Sequence, residues 1–334
     1  MGAMTPVPPR LFHDFRTGSR RALARAVTLV ENQAPGFQEL LHHAMEPGPR
    51  ARRIGFTGPP GAGKSTLVGA VARAALAADE EVAVLAVDPT SPYSGGALLG
   101  DRIRMQELAL DPHIFIRSMA TRGSLGGLAD ATMEVMDLMD GFGFPRILVE
   151  TVGVGQTELD IAGTADTTVV VLVPESGDGI QAMKAGLMEI ADIFVVNKAD
   201  RPGARALARD LRGALHLRSP GGRDRGGDGD GGAHWEIPVL LTDGRSGEGV
   251  TELLEALESH ARHLVTTGEL QRRRRARAMD RTRRIMEREL AARVRSALSS
   301  PEVASRVDRI LHGPESPYSV AADLVEQLLR PRGG

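Results

Sequence analysis

The segment GFTGPPGAGKST at residues 55–66 constrains the fold of this chain more than any other. It holds the spacing G-x-x-x-x-G-K-[ST] from Gly58 to Ser65, after a short apolar run and before a stretch of helical character. In that context the glycines let the backbone curl until its N–H groups face phosphate oxygens, and the following helix adds its positive end. Gly58, Pro59, Pro60, Gly61, Ala62, Gly63 and Thr66 are the expected cradle. Lys64 is expected to reach the β- and γ-phosphates, and Ser65 to offer its hydroxyl to Mg²⁺.

The surrounding pattern agrees. RIGFTG, VAVLAVD, RILVET, TTVVVLVP, IFVVNKAD and IPVLLTD are short apolar runs, separated by stretches that predict helices over 64–78, 101–110, 124–140, 179–191, 202–216 and 249–262. Near-continuous apolar strands alternating with helices predict an α/β fold with a doubly wound, mostly parallel sheet covered on both faces. Residues 17–45 predict a helix pair broken at Pro35-Gly36. The expected organisation is an N-terminal helical extension (1–50), a P-loop NTPase domain (51–262) and a C-terminal helical arm (263–334). Within the second, the Gly/Asp/Arg-rich stretch 218–235 has too little apolar surface to pack and predicts an insertion loop.

NKAD at 197–200 ends a predicted strand of the same sheet. Asp200 can accept both N1–H and the 2-amino group of guanine, donors that adenine lacks. Asn197 can contact the O6/N7 edge, and the stem of Lys198 can lie along the ring, so the expected nucleotide is GTP or GDP. The guanine-capping loop is expected near LTDGRSGEGV, where Thr242-Asp243 replaces the usual Ser-Ala. Three carboxylates are candidates for the metal: Glu150 after RILV, Asp101 in GALLGDRIRM, and Asp88 at the end of VAVLAV, expected next to the P-loop. Mg²⁺ prefers oxygen ligands and keeps waters. Ser65 is therefore the expected direct ligand, Asp101 and Glu150 bind directly or through water, and Asp88 lies behind or orients the attacking water. Gly153 can donate its N–H to the γ-phosphate. Gln156 is a further candidate for orienting water.

Composition narrows the classes. No cysteine occurs, which removes disulfides and thiolate chemistry, and a net charge of -2 gives no global pull toward nucleic acid or anionic membrane. No apolar run approaches the roughly 18–20 residues that span a bilayer, so a cytoplasmic location is the expectation. QRRRRARAMDRTRRIMERELAARVRSAL carries an apolar stripe and lacks aromatic residues for base stacking, which favours an oligomerisation helix over an RNA-binding one. Only three of the 41 Lys and Arg residues are lysines: Lys64, Lys184 and Lys198. A retained Lys184, in GIQAMKAG, suggests a place where a compact ammonium is needed.

GPPGAGKST, VDPTSPYSGGALLGDRIRM, TRGSLGGL, ETVGVGQTE, GDGIQAMKAG and NKAD occur in that order, and with them the chain resembles the MeaB/ArgK/MMAA family of GTPases along nearly its whole length. The resemblance implies a homodimeric G protein that serves as chaperone of an adenosylcobalamin-dependent acyl-CoA mutase. It further implies gating of cofactor loading, protection of the mutase and a place beside the cobalamin adenosyltransferase. It also implies that Lys184 sits in an extra switch segment that couples the client to hydrolysis, with Arg104 near switch I completing catalysis. The Asp-x-x-Gly-Gln of Ras-type proteins is lacking, so slow unassisted turnover is expected. A metal-insertion GTPase, a small-molecule P-loop kinase and a purely regulatory binding module are the alternatives.

Overall fold

The structure, a computed structural model, describes residues 9–89, 108–121, 127–151, 161–174, 186–218, 234–313 and 315–329. The chain forms two units, Met1–Arg273 and Arg274–Gly334.

The first unit is built on seven strands: β1 (Arg52–Thr57), β2 (Val82–Pro89), β3 (Ile114–Thr121), β4 (Arg146–Thr151), β5 (Thr167–Leu172), β6 (Ile193–Asn197) and β7 (Val239–Thr242). They lie in the order β3-β2-β4-β1-β5-β6-β7, and every neighbouring pair is parallel. Six of the seven are the apolar runs read from the sequence. The seventh, β3, is IFIRSMAT, in which Arg117 and Ser118 interrupt the apolar run. It is an edge strand, paired on one side with β2, and an edge can carry polar residues that a central strand cannot.

Successive side chains point to opposite faces, so each strand supplies two cores. Ala83, Leu85, Val87, Ile147 and Val149 face a layer made by α1 (Pro9–Arg16), α2 (Arg20–Glu31), α3 (Phe37–Met45) and α5 (Gly127–Phe142). Val82, Val84, Ile54, Phe56 and Leu148 face α4 (Lys64–Leu76) and α8 (Val250–Thr266). A third cluster joins Val170, Leu172, Phe194 and Val196 to α6 (Leu187–Ile190) and α7 (Ala204–Arg218). Each fully buried Leu, Ile or Val contributes about 1.5–3 kcal/mol.

The N-terminal helices share the first core: Leu23, Val27, Val30 and Leu40 pack in one cluster with Leu138, Met139 and Phe144. A buried ion triad backs this contact. Arg53 at the start of β1 donates to Asp137 (2.8 Å) and Asp140 (3.1 Å) of α5, and Asp140 also accepts the N–H groups of Arg50 and Ala51. The two carboxylates hold the Arg53 guanidinium above its ordinary pKa against the opposing effect of burial.

The helical expectations held at 17–45, where the break falls between α2 and α3, and at α4, α5, α7 and α8 within a few residues. Helix α1 was not foreseen. Of the helices expected over 101–110 and 179–191, the described residues show a short 3₁₀ turn, Leu108–Leu110, and α6.

The second unit continues α9 (Glu269–Leu298) and adds α10 (Pro301–Leu311) and α11 (Pro317–Leu329). Ser300 caps α10 through the Val303 N–H. Arg306 ties α10 to Glu315 (3.1 Å) and to Asp323 of α11 (2.7 Å). Among the described residues no helix is long and apolar enough to cross a membrane.

Candidate functional site

The phosphate loop leaves the central strand β1 and enters α4 at Lys64. Its glycines are required by geometry. Gly58 has φ 132°, and a Cβ there would stand 2.1 Å from the carbonyl oxygen of Val171 in β5; one at Gly63 (φ 85°) would stand 2.5 Å from Asn197 Nδ2. The loop thus lies directly on the C-terminal ends of β5 and β6, the side of an open α/β sheet where ligands bind. Lys64 is buried, and its Nζ donates to the carbonyls of Gly58 (2.7 Å) and Pro59 (2.9 Å). The ammonium is held inside the loop that it serves.

Ser65, in the first turn of α4, donates its hydroxyl to Glu150 Oε1 at 2.7 Å. Glu150 is 1% exposed at the end of β4, the strand beside β1, and Phe56 is its register partner. Thr57 and Thr151, the last residues of β1 and β4, meet through their hydroxyls at 3.3 Å. A serine has one hydroxyl proton. With that proton directed to Glu150, Oγ would meet a cation through its lone pairs.

The guanine side is assembled around Asn197, the last residue of β6 and 2% exposed. Its Nδ2 donates to the Ala62 carbonyl of the phosphate loop (2.8 Å). Its Oδ1 accepts from Thr242 Oγ1 and from the Gly244 N–H, both at 3.1 Å. The Asn197 amide therefore ties the end of β6 to the phosphate loop and to the segment at the end of β7, contacts that the sequence reading, which gave it the O6/N7 edge of the base, did not include. Lys198 follows in a left-handed conformation (φ 57°), half-buried, and Asp200 is exposed at the rim. Beyond β7, Asp243 folds back to accept the Arg245 and Ser246 N–H groups, which lowers its carboxyl pKa. Thr242 and Gly244 lie in the stretch that the sequence offered as the guanine-capping loop, but their contacts to Asn197 were not foreseen. The signal was their place at the end of the last apolar run.

The structure therefore brings together Gly58, Pro59, Pro60, Gly61, Ala62, Gly63, Lys64, Ser65 and Thr66 with Glu150, Asn197, Lys198 and Asp200, all at the C-terminal ends of the central strands. Asp88 does not sit next to the P-loop strand as expected: β4 lies between β2 and β1, so Glu150 holds that position. Asp88 is in register with Ala120 of β3, and its side chain lies outside the described residues. Asp101, Arg104, Gly153, Gln156 and Lys184 also lie outside the described residues.

Comparison with known proteins agrees with this geometry. Residues 23–299 match the family model of the methylmalonyl-CoA mutase-associated GTPase MeaB. A protein of Pyrococcus horikoshii that carries the name GTPase is 46% identical over 322 residues, covering 96% of this chain and 98% of its own. The mouse mitochondrial methylmalonic aciduria type A homolog is 36% identical over 282 residues, covering 79% of this chain and 66% of its own. A solved structure named LAO/AO transport system kinase superposes with a TM-score of 0.68 at 27% identity, over 96% of this chain and 97% of that one. With a guanine-type strand braced to a phosphate loop and a family match across most of its length, this chain belongs to the MeaB family of P-loop GTPases.

Proposed function

We propose that this protein is a Mg²⁺-dependent GTP hydrolase that acts in the cytoplasm as chaperone of an adenosylcobalamin-dependent acyl-CoA mutase. It would gate cofactor loading and protect the mutase, in the company of a cobalamin adenosyltransferase. The observation that supports the nucleotide reading is the Asn197 bridge, which ties the strand end proposed for guanine to the phosphate loop. The mutase reading rests on the family name and on the name of the mouse relative.

In this reading Asp200 takes the guanine N1–H and 2-amino donors, with the Lys198 stem beside the ring. The N–H groups of the phosphate loop and the N-terminal end of α4 bind the phosphates. Lys64 exchanges its two carbonyl partners for phosphate oxygens, so the loop arrives with its cation already placed. The buried Ser65–Glu150 pair fits a magnesium ion: Ser65 Oγ would ligate it, and Glu150 would orient the hydroxyl and hold a water of the ion. When bound, the ion neutralises charge on the β- and γ-phosphates. Asp101 and Asp88 are the further carboxylates proposed for the metal. Gly153 is proposed to donate to the γ-phosphate, and Gln156 to orient water.

Phosphoryl transfer is accelerated mostly by charge stabilisation, and an added cation is worth about 10³–10⁵ in rate in related enzymes. Lys184 and Arg104 are proposed to supply it when the client docks. Single-turnover hydrolysis of GTP with and without a B12-dependent mutase tests this: stimulation by the mutase that Lys184→Ala removes supports it, and a rate indifferent to both would refute it. Transfer of phosphate from ATP to a small molecule would instead favour the kinase alternative. Among the described residues no group of three or more His, Asp or Glu is placed to hold a metal cargo, so nothing there speaks for metal insertion.

A further inference from the structure

At the opposite, N-terminal ends of the strands lies a buried polar cluster that nucleotide chemistry does not use. Asp192, immediately before β6, is 7% exposed. Arg273, in the first turns of α9, grips it with two 3.0 Å hydrogen bonds, Nη1 to Oδ2 and Nη2 to Oδ1. Arg273 Nη1 also donates to the carbonyl of Asp166, immediately before β5 (3.0 Å). Asp192 further accepts the Thr168 N–H at 2.8 Å. His260 of α8 stands between them, with Nδ1 at 2.9 Å from Thr167 Oγ1 and Nε2 at 3.4 Å from Asp192 Oδ1. Trp235, the one tryptophan of the chain, packs on His260 and His263 and donates Nε1–H to the Asp192 carbonyl.

A bidentate guanidinium–carboxylate pair at partial burial fixes geometry as well as charge. What it fixes here is specific. Arg273 fastens the N-terminal ends of β5 and β6, and the C-terminal ends of those two strands hold the nucleotide loops. Val171 of β5 backs Gly58, and Asn197 of β6 braces Ala62 and Gly244. A five-residue strand is only about 16 Å long at the usual rise of about 3.3 Å per residue, so the clamp and the nucleotide loops sit at the two ends of the same short strands.

We propose that the Arg273–Asp192 clamp is a regulatory coupling point, through which the root of helix α9 and the guanine nucleotide site bias each other along β5 and β6. Arg273 is a positioning residue: it touches no nucleotide. The coupling must be reciprocal, so nucleotide binding alters the clamp by the same factor by which the clamp alters nucleotide affinity. A partner that grips α9 would thereby change nucleotide exchange. The inference rests on the GTPase reading, and the test separates the two.

The full-length protein is titrated with Mg·GDP. Calorimetry gives the affinity, and Trp235 emission reports the clamp. The wild type should bind GDP with a change in Trp235 emission. Arg273→Ala should lose that optical change and shift GDP affinity about fivefold or more. Arg273→Lys keeps a charge without the two-pronged grip and should fall between. Two results overturn the proposal: wild-type protein that binds GDP with Trp235 emission unmoved, or Arg273 variants that keep both wild-type affinity and the full response. Should Arg273→Ala fail to fold, Arg273→Lys against wild type decides by the same criteria. Failure of the wild type to bind GDP at all would remove the nucleotide reading itself, and the inference with it.

Discussion

Two side chains, Ser65 and Asn197, carry most of the logic of the nucleotide site, and their partners decide what they can do. The motif alone proposes Ser65 as a metal ligand, and the 2.7 Å contact adds Glu150 as the acceptor of its hydroxyl proton. Ser65→Ala removes the lone pairs and the oriented hydroxyl together. Mg²⁺ should tighten GDP binding in the wild type and do so at least about tenfold less in the variant, as a magnesium series of GDP titrations would show. Asn197 was read as a base contact, and its bracing role was not legible because a residue at the end of a strand shows its side chain but not its neighbours. The structure adds contacts of its amide to Ala62, Thr242 and Gly244. Asn197→Ala leaves these buried groups short of partners, at about 1–3 kcal/mol for each group left unsatisfied. Thermal unfolding should therefore move down even without nucleotide, an effect that loss of a base contact alone would not produce.

Among the elements, the six apolar strands were legible because buried parallel strands are apolar on both faces. β3 was not, because its pattern is broken by Arg117, which pairs with Glu31 of α2. Strand order was not legible either, since nothing in a strand's own residues states its neighbour, and this is why Asp88 was expected beside the P-loop. The clamp at the other end of the strands was invisible for a similar reason: Asp192, His260 and Arg273 come from three different elements. Its histidine makes a pH prediction. Burial, followed by the charges of Arg273 and His263 and opposed by Asp192 and Asp166, pushes His260 down to about 4. The unfolded chain, near 6.5, then takes up this proton first as pH falls. The contribution of neutral His260 is intact above about pH 6.5 and is lost on acidification toward about 4, on the order of 3 kcal/mol. Denaturant midpoints between pH 7 and 4.5 should fall more steeply in the wild type than in His260→Gln.

At the scale of the molecule, the sequence suggested three segments, whereas the chain forms two units and the described core joins the N-terminal helices to one face of the sheet. The C-terminal unit, taken by itself, leaves Met279, Met286, Leu290, Val294 and Leu298 exposed on one helix. Such a stripe fits the proposed homodimer arm. Sedimentation of the full-length protein should give a dimer that Leu290→Glu combined with Met286→Glu converts to monomer, whereas a wild-type monomer would contradict the arm's assignment.

The central claim is that one braced pocket selects guanine and holds a magnesium-complexed polyphosphate. Calorimetric titration of the wild-type protein with GDP and with ADP, both in excess Mg²⁺, tests it most directly. The account predicts saturable binding of GDP, with ADP weaker by a factor of about 100 or more (2.7 kcal/mol). Equal affinity for the two, or no heat of binding from GDP, would contradict it.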